Sequence, residues 1–213
     1  MESDLTAVVD GVRMKAGERL IALDPAMERI VRAAGPVAFR PPAADHFNAL
    51  ARAIVFQQLA GKAANAIHGR FLALFDEGPT AEAVLQAEES ALRGCGLSAN
   101  KVAAIRDLAG KSADGSVRLE RIEDLDDEEI IARLTTIRGI GRWTAEMFLI
   151  SQLRRPDVWP VDDLAVAKGY AIIHRLAVPP KPRALKPLGE IYRPLRSAAA
   201  WYCWRATDTV LPI

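Results

Sequence analysis

The chain has 213 residues, of which 50% are hydrophobic and 26% are charged, with a formal net charge of +1. A chain of this length buries enough surface to form a core without disulfides, and the composition excludes disordered, collagen-like and low-complexity classes. The apolar runs are short and interrupted by charges, so we expect no membrane span, and the N-terminus shows no apolar signal segment. Because the net charge is nearly neutral, any contact with nucleic acid must be local.

The two cysteines and three histidines restrict the metal chemistry. Cys95 and Cys203 are too few for a disulfide framework or a four-thiolate iron–sulfur cluster. The histidines, His46, His68 and His174, lack partners at ligand spacing, which argues against a zinc site or a Cys–His nucleophile pair. We therefore expect a protein of an intracellular, reducing compartment without an iron–sulfur cluster.

Apolar residues recur with helical spacing along the whole chain, and no segment alternates apolar and polar residues long enough to predict a strand. The fold class is therefore expected to be all-α. Four residues are placed to cap helix N-termini: Asp24, Thr80, Ser98 and Asp126. The helix after Asp45 carries an apolar stripe, formed by Phe47, Leu50, Ala51, Ile54 and Val55. Residues 111–118 and 178–182 are predicted loops.

The most informative segment begins where the helix ending at Leu134 gives way to Gly139–Ile140–Gly141. Two glycines one residue apart allow backbone angles that other residues avoid, and they let another backbone approach closely. A second helix is predicted from Arg142 to about Gln152. Its first turn presents free N–H groups and a partial positive charge, so the adjoining glycines complete an anion site that suits a phosphate diester. Without further context, such a turn is more often a simple helix connector.

The pattern of residues 134–145, hydrophobic-x-x-Ile-x-Gly-Ile-Gly-x-x-Thr-Ala, resembles the helix–hairpin–helix motif of the DNA glycosylase superfamily, which excises damaged bases. Downstream of the hairpin this family places an essential Asp, and the segment Pro160–Leu164 offers Asp163. In chain order, residues 53–64, 96–102 and 193–205 also resemble segments of this family. The resemblance covers roughly residues 45–205. The most similar branch is the compact form of the alkylpurine (3-methyladenine) DNA glycosylase II group.

The resemblance implies an all-α fold of two subdomains with the active-site cleft between them. Residues 46–163 are expected to form a central helical barrel that ends in the helix–hairpin–helix at about 126–152. Residues 1–45 and 164–213 are expected to form the second helical subdomain, within a single glycosylase unit that spans residues 1–213.

Two neighbouring acids follow Val161, and the resemblance assigns catalysis to the second. The carboxylate of Asp163 would stabilise the oxocarbenium-like sugar, or orient and deprotonate the attacking water. Asp162 is expected to cap the following helix, which in isolation is the common role of acids at a helix start. Superfamily members that also cut the strand carry a Lys nucleophile at the position of Trp143. A tryptophan cannot attack the sugar, so the resemblance implies a monofunctional enzyme.

N-alkylated purines carry a positive charge and a weakened glycosidic bond, and an electron-rich aromatic surface holds such a cation. The expected base pocket consists of Trp143, Met147, Trp159, Phe56 and Leu195. The alternative is that these are core residues, as is expected of Trp201 and Trp204 on the last helix.

The segment Gln57–Gln58–Leu59, called the wedge loop below, resembles the segment with which this family fills the gap left by a flipped base. Gln58 or Leu59 is the expected plug, and an ordinary helix terminus is the alternative. Phosphate contacts are expected at the hairpin from Arg138, Gly139, Gly141, Arg142 and Thr144. Arg138 stands where relatives often have Pro, so it either adds a phosphate contact or loosens the turn.

The resemblance also implies a structural Na+ or K+ at the hairpin, held by the backbone carbonyls of Thr135, Ile137 and Gly139 and facing a DNA phosphate. No other cofactor is expected to be required. Arg196 and Ser197, at the start of the last helix, are expected either near the cleft or in a salt bridge and a helix cap.

These features together predict a monofunctional DNA glycosylase of base excision repair that flips out and excises alkylated purines such as 3-methyladenine or 7-methylguanine. The alternatives are a glycosylase for another lesion, such as uracil, hypoxanthine or 1-alkyladenine, and a non-catalytic helix–hairpin–helix module that binds damaged DNA. The expected partner is damaged double-stranded DNA, and no association with a membrane is expected. We expect a monomer in the bacterial cytoplasm and nucleoid or, in a eukaryote, in the nucleus.

Overall fold

The computed structural model describes residues 16–208, which form a succession of helices with no β-strand among them. Within this range α1 occupies residues 16–23. The other helices follow in chain order: α2 (Glu28–Ala34), α3 (His46–Phe56), α4 (Gly61–Leu72), α5 (Ala81–Gln86), α6 (Glu89–Gly94), α7 (Ala99–Ala113), α8 (Asp127–Leu134), α9 (Arg142–Ser151), α10 (Leu164–Ile173), α11 (Pro182–Leu188) and α12 (Arg196–Asp208). The prediction of an all-α fold is confirmed. None of the described helices combines the length and apolar character that a membrane span requires.

The predicted capping residues lie at the starts of helices. Their side chains accept backbone N–H groups of the first helical turn, as in Thr80 to Ala83 and Asp126 to Glu129. The predicted loop at 111–118 is wrong in its first part, because α7 continues to Ala113. The Ser112 hydroxyl donates to the Leu108 carbonyl one turn earlier, which keeps this side chain satisfied inside the helix.

The chain divides into two compact units. The hairpin unit, Pro41–Leu153, is organised around α7, which packs against α3, α5 and α6. Its core consists of apolar side chains from α3, α7, α8 and α9: Leu50, Ile54, Ile105, Leu108, Ile130, Leu134 and Leu149. Burial of each such side chain stabilises the fold by about 1.5–3 kcal/mol, so α7 is a rigid support for the elements around it.

The terminal unit joins Met1–Arg40 to Arg154–Ile213, of which residues 16–40 and 154–208 are described. Within it, α10 and α12 are in close contact. A Cβ added to Gly169 of α10 would lie 1.9 Å from the carbonyl oxygen of Cys203 on α12, so the two backbones touch at this glycine. Burial raises the pKa of the Cys203 thiol, which makes it an inert core residue.

The observed boundaries between the units differ from the predicted ones at residues 46 and 163. Residues 154–163 belong to the terminal unit because the start of α12 holds them. The Arg196 guanidinium donates to the Asp157 carboxylate at 2.7 Å, and the Ser197 hydroxyl donates to the Arg155 carbonyl at 2.6 Å. Arg196 thus forms the salt bridge that was one of its two expected roles, and both side chains brace the terminal unit.

Candidate active site and DNA-contact surface

The helix–hairpin–helix consists of α8, the turn at residues 135–141 and α9. Ile137 and Ile140 are buried and anchor the turn in the core. Gly139 has a φ of +78°, a conformation that L side chains rarely adopt. A Cβ at Gly139 would also meet the Cβ of Ala104 on α7 at 3.2 Å. A glycine is therefore required here, both for the backbone angle and for the close approach to α7.

The first turn of α9 is arranged to bind an anion. Gly141 is its N-cap and supplies no capping side chain, so the first turn presents backbone N–H groups at the positive end of the helix dipole. The Thr144 side chain is only 6% exposed. The prediction of a Thr144 contact with DNA is therefore wrong for its side chain, which the core encloses, and applies only to its backbone.

The predicted phosphate contact from the Arg142 side chain is not supported by its surroundings. Its guanidinium donates to both oxygens of Glu128 on α8, at 3.0 and 2.5 Å, and to the buried carboxylate of Glu146 at 3.0 Å. The hydrogen bond that Arg142 donates to Glu128, together with the charges of Glu128 and Glu146, raises the pKa of Arg142. Two carboxylates neutralise this cation, so Arg142 locks α8 to α9 instead of presenting its charge to a phosphate.

Arg138 is exposed at the tip of the turn, and its backbone N–H donates to the Asp107 carboxylate on α7 at 2.7 Å. Burial alone would raise the pKa of Asp107, but hydrogen bonds from Lys111 and the Arg138 N–H lower it below its ordinary value. A proline, which has no N–H, could not make this bond. This backbone hydrogen bond ties the turn to α7, which argues against the interpretation that a residue other than Pro loosens the turn here.

Backbone carbonyls of the turn are neutral oxygen donors, the chemistry that a monovalent cation prefers over a site built from acids. Within residues 16–208 no cluster of His, Cys, Asp and Glu is placed to hold a metal ion. The Ile137 carbonyl accepts the Ile140 N–H at 3.1 Å, and the Gly139 carbonyl accepts the Gln57 side-chain amide at 2.8 Å. A carbonyl oxygen has two lone pairs, so a single hydrogen bond leaves each of these oxygens able to bind a cation, and the predicted set of Thr135, Ile137 and Gly139 fits a monovalent cation.

The wedge loop follows the end of α3. Gln58 has a φ of +55°, which is uncommon for a residue other than glycine, and both Gln58 and Leu59 are exposed. Gln57 instead turns its amide toward the hairpin carbonyl of Gly139. Gln58 and Leu59 thus retain the exposure that a plug requires, whereas the Gln57 side chain has a partner inside the protein.

Lys101 on α7 was not predicted as a site residue. Its ammonium group donates to the carbonyls of Val55 at 2.7 Å and Gln57 at 2.8 Å. Burial lowers the pKa of Lys101. Lys101 lies in the segment 96–102, which contributed to the family resemblance. Its contact with Val55 and Gln57 could not be predicted, because these residues are far from Lys101 in the chain.

Two of the predicted base-pocket residues share one face of α9. Trp143 is 44% exposed and Met147, one turn later, is half-buried, while Thr144, Ala145 and Glu146 between them are buried. Phe56 in the same unit has one ring face covered by the Arg52 guanidinium, 3.8 Å from the ring centroid. Trp143 and Met147 therefore keep accessible surface, as a base pocket would need.

Asp163 begins α10 in the terminal unit. Its Oδ1 accepts the backbone N–H groups of Ala165 at 2.8 Å and Val166 at 3.0 Å, and the residue is 7% exposed. The helix cap is thus Asp163 and not Asp162, which is exposed. The prediction that Asp162 caps the helix is wrong, because the helix begins one residue later than that prediction requires. The catalytic role of Asp163 stays a prediction. Capping orients the Asp163 carboxylate.

Trp204 on α12 also binds this carboxylate, since its indole Nε1 donates to Asp163 Oδ2 at 3.3 Å. Trp204 was expected in the core, but it is only half-buried. Leu164, directly after the acid, is 77% exposed, which is unusual for a large apolar side chain. The sequence analysis predicted neither residue as part of the site, although Leu164 lies in the segment 160–164 and Trp204 in the segment 193–205 that it singled out.

Trp159 and Leu195 are placed in or against the core of the terminal unit. Trp159 is 6% exposed, its indole donates to the Leu185 carbonyl at 3.0 Å, and its ring lies where a Cβ on Gly189 would be. The base-pocket prediction for Trp159 is wrong because this ring is enclosed by protein. Leu195 is half-buried against the same core.

A substitution of Trp204 tests the indole contact with Asp163. Trp204→Phe removes the N–H donor and keeps an aromatic ring, so we expect single-turnover base excision to slow roughly tenfold, since a hydrogen bond to a charged group is lost. Affinity for abasic-site DNA should change little. Trp201→Phe is the control, because Trp201 donates to the Ala38 carbonyl and should affect only stability. An unchanged excision rate in Trp204→Phe would show that the indole N–H does not help to position the Asp163 carboxylate.

Comparison with known proteins identifies the family. Residues 51–194 match the family described as HhH-GPD superfamily base excision DNA repair protein. The chain belongs to this superfamily. The match to the HhH-GPD superfamily includes the wedge loop, the hairpin and Asp163, and ends before Trp204.

Within the HhH-GPD superfamily, the chain is similar to DNA-3-methyladenine glycosylase 1 of Schizosaccharomyces pombe, with 41% identity over 201 residues that cover 91% of this chain and 87% of the relative. The structure is similar to that of S. pombe 3-methyladenine DNA glycosylase (Mag1) in complex with abasic DNA, with a TM-score of 0.83, 38% identity and coverage of 92% and 97% of the two chains. A DNA-3-methyladenine glycosidase from Bacillus halodurans gives a TM-score of 0.79 at 31% identity, covering 89% and 87%. These findings confirm the resemblance predicted from the sequence.

Proposed function

We propose that this protein is a monofunctional DNA glycosylase that excises alkylated purines, of the 3-methyladenine and 7-methylguanine type, by hydrolysis of the N-glycosidic bond. The observation that carries the proposal is the carboxylate of Asp163, held by two backbone N–H groups and the Trp204 indole in a chain 41% identical to a protein named for this activity.

DNA binding begins at the hairpin in this proposal. The N–H groups at the start of α9 donate hydrogen bonds to the oxygens of a phosphate diester, and the exposed guanidinium of Arg138 adds a cation beside them. The backbone carbonyls of Thr135, Ile137 and Gly139 would hold a Na+ or K+, whose charge would attract the same phosphate. These contacts position the duplex without reading its sequence.

The target nucleotide must leave the stack before its sugar can be reached, at a cost of a few kcal/mol. Gln58 or Leu59 fills the gap in the duplex, since both are exposed at the turn that follows α3. A base whose pairing is weakened by alkylation is flipped more easily, which provides part of the selectivity.

The chemistry then requires little proton transfer, because a positively charged alkylpurine is already a good leaving group. The bond between the sugar C1′ and the purine nitrogen breaks, and the bonding electron pair leaves with the base. Asp163 stabilises the positive charge that develops on the sugar and accepts a proton from the attacking water. The Trp143 ring stacks on the cationic base. Trp143 has no amine, so strand cleavage through a Schiff base does not occur.

The test is base release from a methylated duplex. We expect the full-length protein to release free 3-methyladenine or 7-methylguanine and to leave an abasic site that is cut only after alkali treatment. Binding of damaged duplex without release of a base would instead identify a non-catalytic module. Release from duplexes that carry uracil or hypoxanthine, but not alkylpurines, would identify another lesion as the substrate.

We propose further that the protein acts as a monomer on damaged double-stranded DNA, in whichever compartment holds the genome. Light scattering of the protein alone and with a lesion duplex checks this, and a mass near 23.2 kDa for the free protein is expected.

A further inference from the structure

The wedge loop and the hairpin are joined within the hairpin unit by a short chain of contacts. Gln57 is held at both ends: its carbonyl accepts the Lys101 ammonium at 2.8 Å, and its side-chain amide donates to the Gly139 carbonyl at 2.8 Å. Lys101 also binds the Val55 carbonyl at 2.7 Å. The two loops therefore share an anchor on α7.

The Lys101 contacts supply hydrogen-bond donors to carbonyls at the end of α3, and the Gln57 contacts hold the chain next to an uncommon backbone conformation. The last carbonyls of a helix have no intrahelical donor and carry the negative end of the helix dipole, so a lysine ammonium is well suited to bind them. Gln58, the next residue, has a φ of +55°. A residue in this conformation persists only where its surroundings hold it, and the Gln57 anchor is directly adjacent to it.

The hairpin is fixed to the same helix. The Asp107 carboxylate accepts the Arg138 N–H at 2.7 Å, and the Lys111 ammonium donates to Asp107 at 2.8 Å and to the Thr136 carbonyl at 2.5 Å. α7 thus holds the phosphate-binding turn through Asp107 and Lys111, and the wedge loop through Lys101.

We propose that Lys101 and Gln57 form a clasp that sets the wedge loop in its inserting conformation relative to the hairpin before DNA arrives. Both are positioning residues: the clasp itself touches neither the base nor the sugar. The clasp fixes the wedge loop rigidly to the phosphate-binding hairpin. When the hairpin binds the DNA backbone, the plug residue is therefore already placed at the stacked bases. This inference rests on the proposed function and assigns Gln57, predicted as a DNA contact, to a role inside the protein.

The clasp is tested by excision from two duplexes with the same lesion. One carries 7-methylguanine paired with cytosine, and the other carries it in a bubble of unpaired bases, where flipping needs little help. We expect Lys101→Met and Gln57→Ala to slow single-turnover excision about tenfold or more on the paired duplex and less than about threefold in the bubble. The double variant should be no slower than the slower of the two single variants, because both substitutions release the same loop.

Two controls match these substitutions. Lys186→Met and Gln86→Ala replace exposed residues on α11 and α5 and should keep the wild-type rates on both duplexes. Asp163→Asn should slow both duplexes equally, which separates loss of chemistry from loss of flipping. Equal slowing of both duplexes by Lys101→Met and Gln57→Ala, or no slowing on the paired duplex, would overturn the clasp.

Hydrogen exchange of the free protein gives a second measurement that does not depend on activity. Lys101→Met should increase exchange in the wedge loop and in residues 138–141, with a circular dichroism spectrum like that of the wild type. Unchanged exchange in both segments would overturn the clasp even if excision is affected. Failure of the wild-type protein to release any base would contradict the proposed function and leave the exchange result to decide the clasp.

Discussion

Replacement of Asp163 by Asn should abolish most base excision while the protein stays folded. Asn caps a helix N-terminus about as well as Asp, so the hydrogen bonds from Ala165 and Val166 to this side chain should persist. The negative charge that would oppose the cationic sugar is lost, and the expected decrease in the single-turnover rate is at least about 100-fold, the scale of one preorganised electrostatic contact.

Asp162→Asn is the control for Asp163→Asn, since it changes the charge by the same amount one residue away, at an exposed position. It should retain most of the activity. Near-normal excision by a folded Asp163→Asn protein would show that this carboxylate is only a helix cap. A large loss in Asp162→Asn would move the catalytic assignment to the exposed acid.

The largest effect on stability is expected from Gly169→Ala. The added Cβ would lie 1.9 Å from the Cys203 carbonyl oxygen and 2.4 Å from its carbonyl carbon, so α10 and α12 must separate. We expect the free energy of unfolding to decrease by about 3 kcal/mol, which at this chain length lowers the Tm by roughly 6–12 °C. Excision should also slow, because Trp204 on α12 would move relative to Asp163 on α10.

The matched control is Gly110→Ala in α7, where an added Cβ meets no heavy atom within 4 Å. Alanine favours a helix over glycine by about 0.5–1 kcal/mol, so this variant should unfold at the wild-type temperature or slightly above it. A Tm for Gly169→Ala equal to that of Gly110→Ala, measured by thermal denaturation, would show that the contact between α10 and α12 relaxes without cost.

Local patterns in the sequence were sufficient for the helices and the hairpin. Capping side chains act on N–H groups only two or three residues away, so Thr80 and Asp126 could be predicted from their neighbours. The glycines of the hairpin are likewise explained by a local property, the φ of +78° at Gly139. The catalytic candidate Asp163 came from the family resemblance, and its role remains a prediction.

The site predictions failed where a side chain's partner is decided by tertiary packing. Arg142 is neutralised by Glu128 only because α8 and α9 fold against each other. Composition could not separate Trp159, which is enclosed in the core, from Trp204, which binds the acid. Lys101 on α7 reaches the end of α3, although three helices, α4 to α6, lie between them in the chain, and no spacing rule connects Lys101 to Gln57.

The contact of α10 with α12 at Gly169 has a consequence for how the bond-breaking step is assisted. Because the two backbones touch there, the acid and its indole partner are elements of one stiff body, fixed when the chain folds. Polar solvent must reorient when a charge develops, and this reorientation costs free energy. Groups that are already oriented toward the developing charge avoid that cost. Adaptation to bases of different size must then come from other walls of the site, while the geometry around the carboxylate stays constant.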